Sequence, residues 1–578
     1  MGGICSRKRD QQVNEEGLQR VVSGRYCRSA STKWFRAKAL HSMANHRLGG
    51  ASRPSLMELC IHKIREDIDK YSSFSILPRD ISQQIFNELV DSHCLTDVSL
   101  EAFRDCALQD ICLVEYPGVH DGWMDTISSQ GQSLLSVDLT GSQVTDKGLH
   151  FLKDCSNLQA LTLDFCNQFS DHGLKHVSGL SNLTSLSIRK SSTVTPDGMR
   201  TFSNLVKLEK LDLERCPEVH GGFVHLEGLK KLESLNIGCC KCVIDSDIKA
   251  ISGLTNLKEL LIFNTSVTDL GISYLRDLQK LATLDMEGCN ITAACLDSVS
   301  ALAALACLNL NRCGLSDDGF EKISGLTNLK RLSLGFNYIT DACLIHLKGL
   351  MDLEFLNLDS CKIGDEGLAN LTGLSHLKAL ELSDTEVGSN GLRYISGLNK
   401  LESLNLSFTL VTDSGLKRLS GMTSLKSLNL DSRQITDAGL AKLTSLSGLI
   451  KLDLFGSRIS DSGTAYLRYF KNLQSLEICG GGLTDAGIQN IKDIASLTQL
   501  NLSQNGNLTD KTLELLSGLT GLRSLNVSNS QITNEGLQYL KPLKNLRTLN
   551  LESCKVSAAE LKKLQLAELP NLITFRPE

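Results

Sequence analysis

The chain has 578 residues, of which 41% are hydrophobic and 22% are charged, a composition typical of soluble globular proteins. No apolar run approaches the roughly 18 residues of a membrane-spanning helix, and no apolar signal sequence opens the chain, so we expect neither a transmembrane nor a secreted protein. The 20 cysteines are then expected to be free thiols in a reducing compartment.

The net charge of −5 is divided unevenly along the chain. Residues 1–65 contain 13 Lys and Arg against 4 Asp and Glu, so they carry +9 and the remainder carries −14. A basic segment suits an anionic surface, whereas an acidic body disfavours nucleic acid and suits a basic protein partner.

Residues 1–54 form a basic head that begins with a lipidation pattern. Gly2 occupies the acceptor position of N-myristoylation, Ser6 stands at the required offset, and Cys5 is a candidate palmitoylation site. Residues 7–9 add the sequence Arg-Lys-Arg, which would strengthen binding to an anionic membrane. The alternative is a chance match to a short motif. We expect the head to be largely disordered and to hold a cytoplasmic protein at the inner face of the plasma membrane.

Residues 55–94 are predicted to be helical, with Ser55 and Glu58 in the spacing of a capping box. The pattern L-P-x-D-I-x-x-x-I-F-x-x-L follows, and its apolar and proline positions are Leu77, Pro78, Ile81, Ile85, Phe86 and Leu89. This pattern resembles the first half of an F-box, the segment that binds a Skp1-type adaptor in ubiquitin ligases, and the second half is not matched. The alternative is an N-terminal cap that covers the apolar edge of a repeat solenoid.

One pattern repeats through residues 95–578. The phrase L-x-x-L-x-L occurs 18 times at steps of 24 or 25 residues, with first leucines from Leu134 to Leu546, and a degenerate copy begins at Leu108. Alternating leucines predict a strand, and the phrase T-D-x-G-L that follows many strands predicts a helix with a threonine N-cap. Since one such unit cannot bury its own apolar edges, the copies are predicted to stack.

Two glycines of the repeat predict local structure. The glycine of T-D-x-G-L, such as Gly439, costs about 1 kcal/mol in a helix, so its recurrence indicates close packing. A second glycine, such as Gly179, Gly253 or Gly397, is predicted to end the helix in the left-handed conformation. Residues 569–572 depart from the pattern and are expected to form a C-terminal cap.

A small polar residue follows the last strand leucine by three positions and is expected to bond the backbone of the neighbouring repeat, forming a ladder. It is cysteine in seven copies: Cys166, Cys216, Cys240, Cys289, Cys313, Cys361 and Cys554. These residues and the repeat length resemble the cysteine-containing leucine-rich repeat family, best known from plant F-box proteins. The resemblance implies an α/β horseshoe like ribonuclease inhibitor, with about 19 repeats, that recognises substrates for an SCF-type ubiquitin ligase. The alternative is a lipid-anchored signalling scaffold with no ligase role.

Residues between the strand leucines are predicted to line the concave face, where solenoids usually bind their partners. Exposed phenylalanines on a polar sheet resemble interface anchors, and acidic residues among them favour a basic protein partner. The predicted contacts are Phe263, Phe336, Phe355, Phe408, Phe455, Asp285, Glu287, Asp359, Glu381 and Asp453. The alternative is a solvated polar sheet without a partner.

Motifs of catalysis are absent from the sequence. No phosphate-binding loop, H-E-x-x-H or G-x-S-x-G is present. His172 and His176 lie one helical turn apart without a third ligand nearby in sequence, and the C-x-x-C of Cys239 and Cys242 lies among ladder cysteines. We therefore expect no catalytic residue, no metal and no cofactor.

Overall fold

The computed structural model describes residues 55–576, and the internal contacts divide the chain into two units, Met1–Asp67 and Ile68–Glu578. Gly2 and Cys5, the predicted lipidation sites, lie outside the described residues. The described part of the first unit is helix α1, Leu56–Glu66. The predicted capping box is confirmed, because the Ser55 amide donates to Glu58 Oε2 at 2.6 Å and the Glu58 amide donates to Ser55 Oγ at 3.2 Å.

The second unit contains one parallel sheet of twenty three-residue strands, in which each strand pairs with its neighbours in the sequence. The pairing joins equivalent residues of successive repeats, as in Leu380 with Leu404. The strands β1–β20 are Asp110–Cys112, Ser136–Asp138, Ala160–Thr162, Ser185–Ser187, Lys210–Asp212, Ser234–Asn236, Glu259–Leu261, Thr283–Asp285, Cys307–Asn309, Arg331–Ser333, Phe355–Asn357, Ala379–Glu381, Ser403–Asn405, Ser427–Asn429, Lys451–Asp453, Ser475–Glu477, Gln499–Asn501, Ser524–Asn526, Thr548–Asn550 and Thr574–Arg576.

Short helices alternate with these strands. The α-helices α2–α16 are Arg79–Asp91, Asp97–Glu101, Asp121–Ser128, Asp146–His150, Asp171–Val177, Pro196–Met199, Asp245–Ile251, Asp269–Ser273, Leu296–Val299, Leu392–Ile395, Asp413–Leu416, Asp437–Lys442, Asp485–Ile491, Asp510–Leu516 and Ala558–Ala567. Segments of 3₁₀-helix are Ile68–Lys70, Gly131–Ser133, Phe151–Asp154, Arg200–Asn204, Gly222–Leu226, Ala293–Cys295, Phe320–Gly325, Asp341–Leu347, Gly367–Leu371, Lys417–Leu419, Gly463–Tyr469 and Asn534–Leu540. Within residues 55–576, none of the helices is both long and apolar enough to cross a bilayer.

The strand leucines form a continuous core between the sheet and the helices. In the repeat around β13, Leu401, Leu404 and Leu406 are buried, whereas Ser403 and Asn405 alternate with them and are half-buried on the opposite face. Equivalent positions repeat this pattern along the chain, as the alternation in the sequence predicts.

The ladder predicted at the cysteine positions is confirmed. The Cys361 thiol donates to the carbonyl oxygen of Leu334 in the preceding repeat at 3.2 Å, and Cys216 and Cys240 reach the preceding repeats in the same way at 3.0 and 3.1 Å. Asn337 fills the same position and donates from Nδ2 to the carbonyl of Leu310 at 2.9 Å. All 18 cysteines among the described residues are free thiols.

A second ladder links the helical sides of successive repeats through the aspartate of T-D-x-G-L. Thr436 begins α13 as its N-cap, and it donates both its amide and its hydroxyl to the Asp413 carboxylate of the preceding repeat, at 2.9 and 2.6 Å. The same two bonds join Asp121–Thr145, Asp146–Ser170, Asp171–Thr195, Asp245–Thr268, Asp269–Thr292, Asp317–Thr340, Asp437–Ser460, Asp461–Thr484, Asp485–Thr509 and Asp510–Thr533.

This carboxylate explains the first recurring glycine. A Cβ atom at Gly439 would fall inside the contact radius of Asp413 Oδ1, and equivalent glycines meet the aspartate of their own preceding repeat in the same manner. The glycine therefore makes room for the inter-repeat carboxylate, which is the close packing that the sequence predicts.

The prediction for the second glycine is wrong. Gly179, Gly253 and Gly397 are absent from the positive-φ positions of the described residues. The left-handed conformation falls instead on the residue three positions after the strand in β1–β13 and β15–β19, and side chains larger than hydrogen occupy it in most repeats. The turn out of the strand, rather than the end of the helix, therefore requires the positive φ.

The N-terminal end of the sheet is covered by α2, Arg79–Asp91. Gln83 donates from Nε2 to the carbonyl of Asp110 at 2.6 Å and accepts the amides of Gln109 and Asp110 at 3.0 and 3.2 Å, so it satisfies the free edge of β1. Ile85, Phe86 and Leu89 form the buried face of this helix. Leu77 and Ile81 are half-buried, and Pro78 is exposed.

Residues 569–572, the predicted C-terminal cap, lie between the last helix and one further strand. Leu569 and Leu572 are buried and lead into β20, which pairs with β19 in register. The sheet thus gains a further strand beyond the nineteen that the sequence predicts, because a phenylalanine at position 575 takes the place of a strand leucine opposite Leu549.

The aspartate contact predicts the effect of filling the glycine. We expect Gly439→Ala to lower the free energy of unfolding by about 1–3 kcal/mol, since the new methyl group displaces the Asp413 carboxylate. Gly397→Ala is the control, because a Cβ there meets no atom within 4 Å. Urea midpoints measure both variants. Equal midpoints for the two would show that the contact does not constrain the glycine.

Candidate functional site

The candidate site is the open face of the sheet, which we define as the strand positions that alternate with buried leucines and the second and third residues after each strand. Adjacent strands lie about 4.8 Å apart, so equivalent residues of successive repeats form columns across this face. All ten predicted contact residues lie on it, from Phe263 after β7 to Phe455 after β15.

One column of polar residues serves the backbone. At the last position of the strand, an Asp or Asn side chain accepts the amide hydrogen of the residue two positions later, as Asp453 does from Phe455 at 2.9 Å. The same bond occurs in Asp138–Thr140, Asp212–Glu214, Asn236–Gly238, Asp285–Glu287, Asn309–Asn311, Asn357–Asp359, Asn405–Ser407, Asn429–Asp431, Asn501–Ser503, Asn526–Ser528 and Asn550–Glu552. Asp285 and Asp453 therefore stabilise the turn after the strand, a structural role that was not predicted from the sequence.

The remaining predicted acids are also engaged with their neighbours. Glu287 accepts from Asn309 Nδ2 at 3.2 Å and lies 3.7 Å from Arg312. Asp359 Oδ1 accepts the amide of Ser383 in the next repeat at 2.9 Å. The bond from the Ser383 amide uses Oδ1 of Asp359 and not Oδ2.

Burial changes the protonation of three of these acids. Glu381 is only 6% exposed, and burial raises the pKa of its carboxyl to about 7, against the hydrogen bond from Asn405 and together with the charge of Asp359. Burial likewise raises the pKa values of Asp285 and Asp359 to about 6. Part of the negative charge that the sequence counts on this face is therefore neutralised near pH 6–7.

The sequence also missed a pairing between charges of opposite sign. Asp164 is buried and accepts from Arg189 Nε at 2.7 Å, from the Arg189 amide at 2.8 Å and from Ser187 Oγ at 2.6 Å. This carboxylate and this guanidinium satisfy each other across β3 and β4, so neither is an open contact for a partner.

Three of the predicted phenylalanines are buried or half-buried. The expectation of exposure is wrong for Phe355, which is 7% exposed because the Arg331 guanidinium stacks over its ring at 4.2 Å. Phe263 is half-buried and covers Gly238, where a Cβ would overlap the ring. Phe455 is also half-buried.

The other two phenylalanines project from the sheet. Phe336 and Phe408 follow β10 and β13 by three positions, with 40% and 65% of their surface exposed. Tyr338 and Leu410, two residues further on, are 69% and 56% exposed. Tyr338 and Leu410 were not predicted as contacts because they follow their strands by five positions, beyond the two or three positions of the predicted phenylalanines. They are the only large apolar residues in a column otherwise filled by polar residues, glycine and proline. We call these four residues and Asp384, which lies between them, the rim surface.

Metal ligation is not suggested by the geometry. Across residues 55–576, no group of three or more His, Cys, Asp or Glu is arranged to hold a metal ion. The buried side-chain nitrogen and oxygen atoms of this range also all have hydrogen-bond partners.

The parallel sheet, the leucine core and the two ladders define a leucine-rich repeat solenoid. Residues 334–576 match the family described as a leucine-rich repeat region. No curated protein sequence matches the chain.

Solved structures with similar folds come from bacteria and plants. An internalin from Listeria monocytogenes is 23% identical, with 53% of this chain and 89% of that chain covered and a TM-score of 0.42. A leucine-rich repeat protein of Leptospira interrogans is 21% identical, with 76% and 95% covered and a TM-score of 0.42. The ectodomain of the Arabidopsis receptor kinase HAESA, solved with a peptide hormone, is 17% identical, with 77% and 74% covered and a TM-score of 0.43.

The raised pKa of Glu381 predicts a pH-dependent effect on stability. Its protonated form is favoured in the folded chain, so the folded state loses stability relative to the unfolded state as pH rises from about 4 through about 7. We expect Glu381→Gln to stabilise the fold at pH 8 and to have little effect at pH 4. Urea unfolding at both values measures this. The exposed Glu386→Gln is the control, and a Glu381→Gln effect that does not vary with pH would contradict the assignment.

Proposed function

We propose that the chain is a non-enzymatic protein-interaction solenoid that binds a partner through the rim surface and the adjoining open face. The observation that carries this proposal is the exposure of Phe336, Tyr338, Phe408 and Leu410 at an open face whose other aromatic residues, apart from Phe165, are buried or half-buried. Exposed aromatic clusters of this kind are typical anchors of protein interfaces.

The charges around the anchors favour a basic partner. Asp384 is exposed between the two phenylalanines. Glu381 ends β12, and Asp359 and Asp431 follow β11 and β14 by two positions on the same face. Positive groups of a partner would lower the pKa values of the buried acids and so recover negative charge at the interface.

The sequence predicts two cellular roles for such a solenoid. An SCF-type ligase receptor would use residues 77–89 to bind a Skp1-type adaptor, and a signalling scaffold would use lipidated Gly2 and Cys5 to reach an anionic membrane. Burial of Ile85, Phe86 and Leu89, together with the Gln83 bonds to β1, favours a capping role for residues 77–89. We therefore rank the scaffold at the cytoplasmic face of the plasma membrane ahead of the ligase receptor.

Affinity capture with the full-length chain tests partner binding. We expect the double variant Phe336→Ser/Phe408→Ser to recover at least about 10-fold less of its specific protein partner, because each truncated anchor costs more than about 1 kcal/mol. Val206→Ser/Val224→Ser is the matched control, since these valines are also exposed. Quantitative mass spectrometry compares the bound proteins, and recovery that is equal for all three chains would contradict the proposal.

The same experiment separates the two roles. A Skp1-type adaptor that binds the intact chain and is lost from Leu77→Ala/Pro78→Ala would support the ligase receptor, and its absence from the intact chain would contradict it. An unmodified Gly2 in the mass spectrum of the chain isolated from its own cells would contradict the lipid-anchored scaffold.

A further inference from the structure

We propose that the rim surface binds an extended segment of the partner that carries apolar side chains at positions i and i+4 and a lysine or arginine at i+2. This inference rests on the proposed function and specifies the partner's chemistry. The apolar side chains contact Phe336 with Tyr338 at one end and Phe408 with Leu410 at the other. The central basic side chain contacts Asp384.

The distance between the anchors selects an extended segment. Phe336 and Phe408 occupy the same column, three strands apart, so they are separated by about 14 Å at about 4.8 Å per strand. In an extended segment, residues i and i+4 are about 13 Å apart and lie with i+2 on one face. In a helix, residues about nine positions apart are separated by this distance. Nine residues make about 2.5 turns, so the two anchor side chains would point to opposite sides of the helix.

The backbone shows that the two phenylalanines are costly to the fold itself. Phe336 and Phe408 have φ values of +60° and +55°, a region that bulky residues rarely adopt. Gly456, Gly480 and Asn529 fill the same column in other repeats. Smaller residues thus suffice for the turn, and Phe408 is 65% exposed, so its ring adds little burial in return.

The charges of the column fix where the basic side chain lies. Asp384 is exposed, and one of its oxygens accepts from Ser360 Oγ at 3.1 Å. At the other end, the Arg312 guanidinium lies 4.0 Å from the Phe336 ring, where it repels a second positive charge. Lys362 and Glu386 lie between Tyr338 and Leu410, in the column five positions after each strand. Their opposite charges cancel, so Asp384 leaves the surface between the two anchors acidic.

A selected peptide tests this inference. A phage library of random 12-residue peptides is selected on the full-length chain, and we expect the bound peptides to share apolar residues at i and i+4 around a lysine or arginine at i+2. Fluorescence polarisation then measures the affinity of the synthetic consensus peptide. Inserting one residue between its anchors, or replacing its basic residue by glutamate, is expected to weaken binding by at least about 10-fold.

Variants of the protein locate the peptide. Phe408→Asn is expected to weaken binding by at least about 10-fold while leaving the urea midpoint unchanged or higher. Asp384→Lys is expected to reject the basic peptide and to bind the glutamate peptide better than the unsubstituted chain does. Asp197→Lys, at an exposed acid in the helical part of another repeat, is the control.

Two outcomes would overturn the inference. One is a library that yields no such motif, and the other is a consensus peptide that binds Phe408→Asn and Asp384→Lys as tightly as the unsubstituted chain. If capture of the protein partner still depends on Phe336 and Phe408, the proposed function stands without this partner chemistry. If capture is also unaffected by Phe336→Ser/Phe408→Ser, the proposed function itself fails.

Discussion

The stacking of the repeats depends on a carboxylate that belongs to one repeat and binds the N-cap threonine of the next helix. Asp413 accepts two hydrogen bonds from Thr436, and ten further pairs repeat the arrangement along the chain. An ionised acceptor makes such bonds stronger than neutral ones, and the aspartate also lies near the positive end of a helix. The need for this carboxylate explains three positions at once: the aspartate, the N-cap threonine and the glycine that leaves room, such as Gly439.

The sequence predicted those features that recur at every repeat. Leucine spacing gave the strands and their register, and the small polar position gave the ladder that Cys361 and Asn337 form. It also predicted a helix that caps the sheet at residues 77–89, as one of two alternatives. These predictions succeeded because many copies of one local pattern must satisfy the same packing and hydrogen-bonding requirements.

Features that depend on one neighbouring residue were not predictable in this way. Phe355 is buried because Arg331 happens to precede it in the same column, and Phe263 lies down because Gly238 offers room. The raised pKa of Glu381 arises from burial that the pattern of charges does not reveal. Tyr338 and Leu410 are exposed in the turns after β10 and β13, outside the positions that the strand pattern covers. The candidate site is therefore smaller and more apolar than the acidic face predicted from sequence.

A double-mutant cycle between Asp413 and Thr436 tests whether the inter-repeat carboxylate stabilises the stacking of the repeats. The free energies of unfolding of the unsubstituted chain, Asp413→Ala, Thr436→Val and the double variant are compared by urea unfolding. If the carboxylate holds the next helix, the two substitutions are coupled by about 1–2 kcal/mol, as expected for a charge-assisted hydrogen bond. Effects that add to within about 0.3 kcal/mol would contradict this role, because they would show that the Thr436 hydroxyl gains no stability from the Asp413 carboxylate.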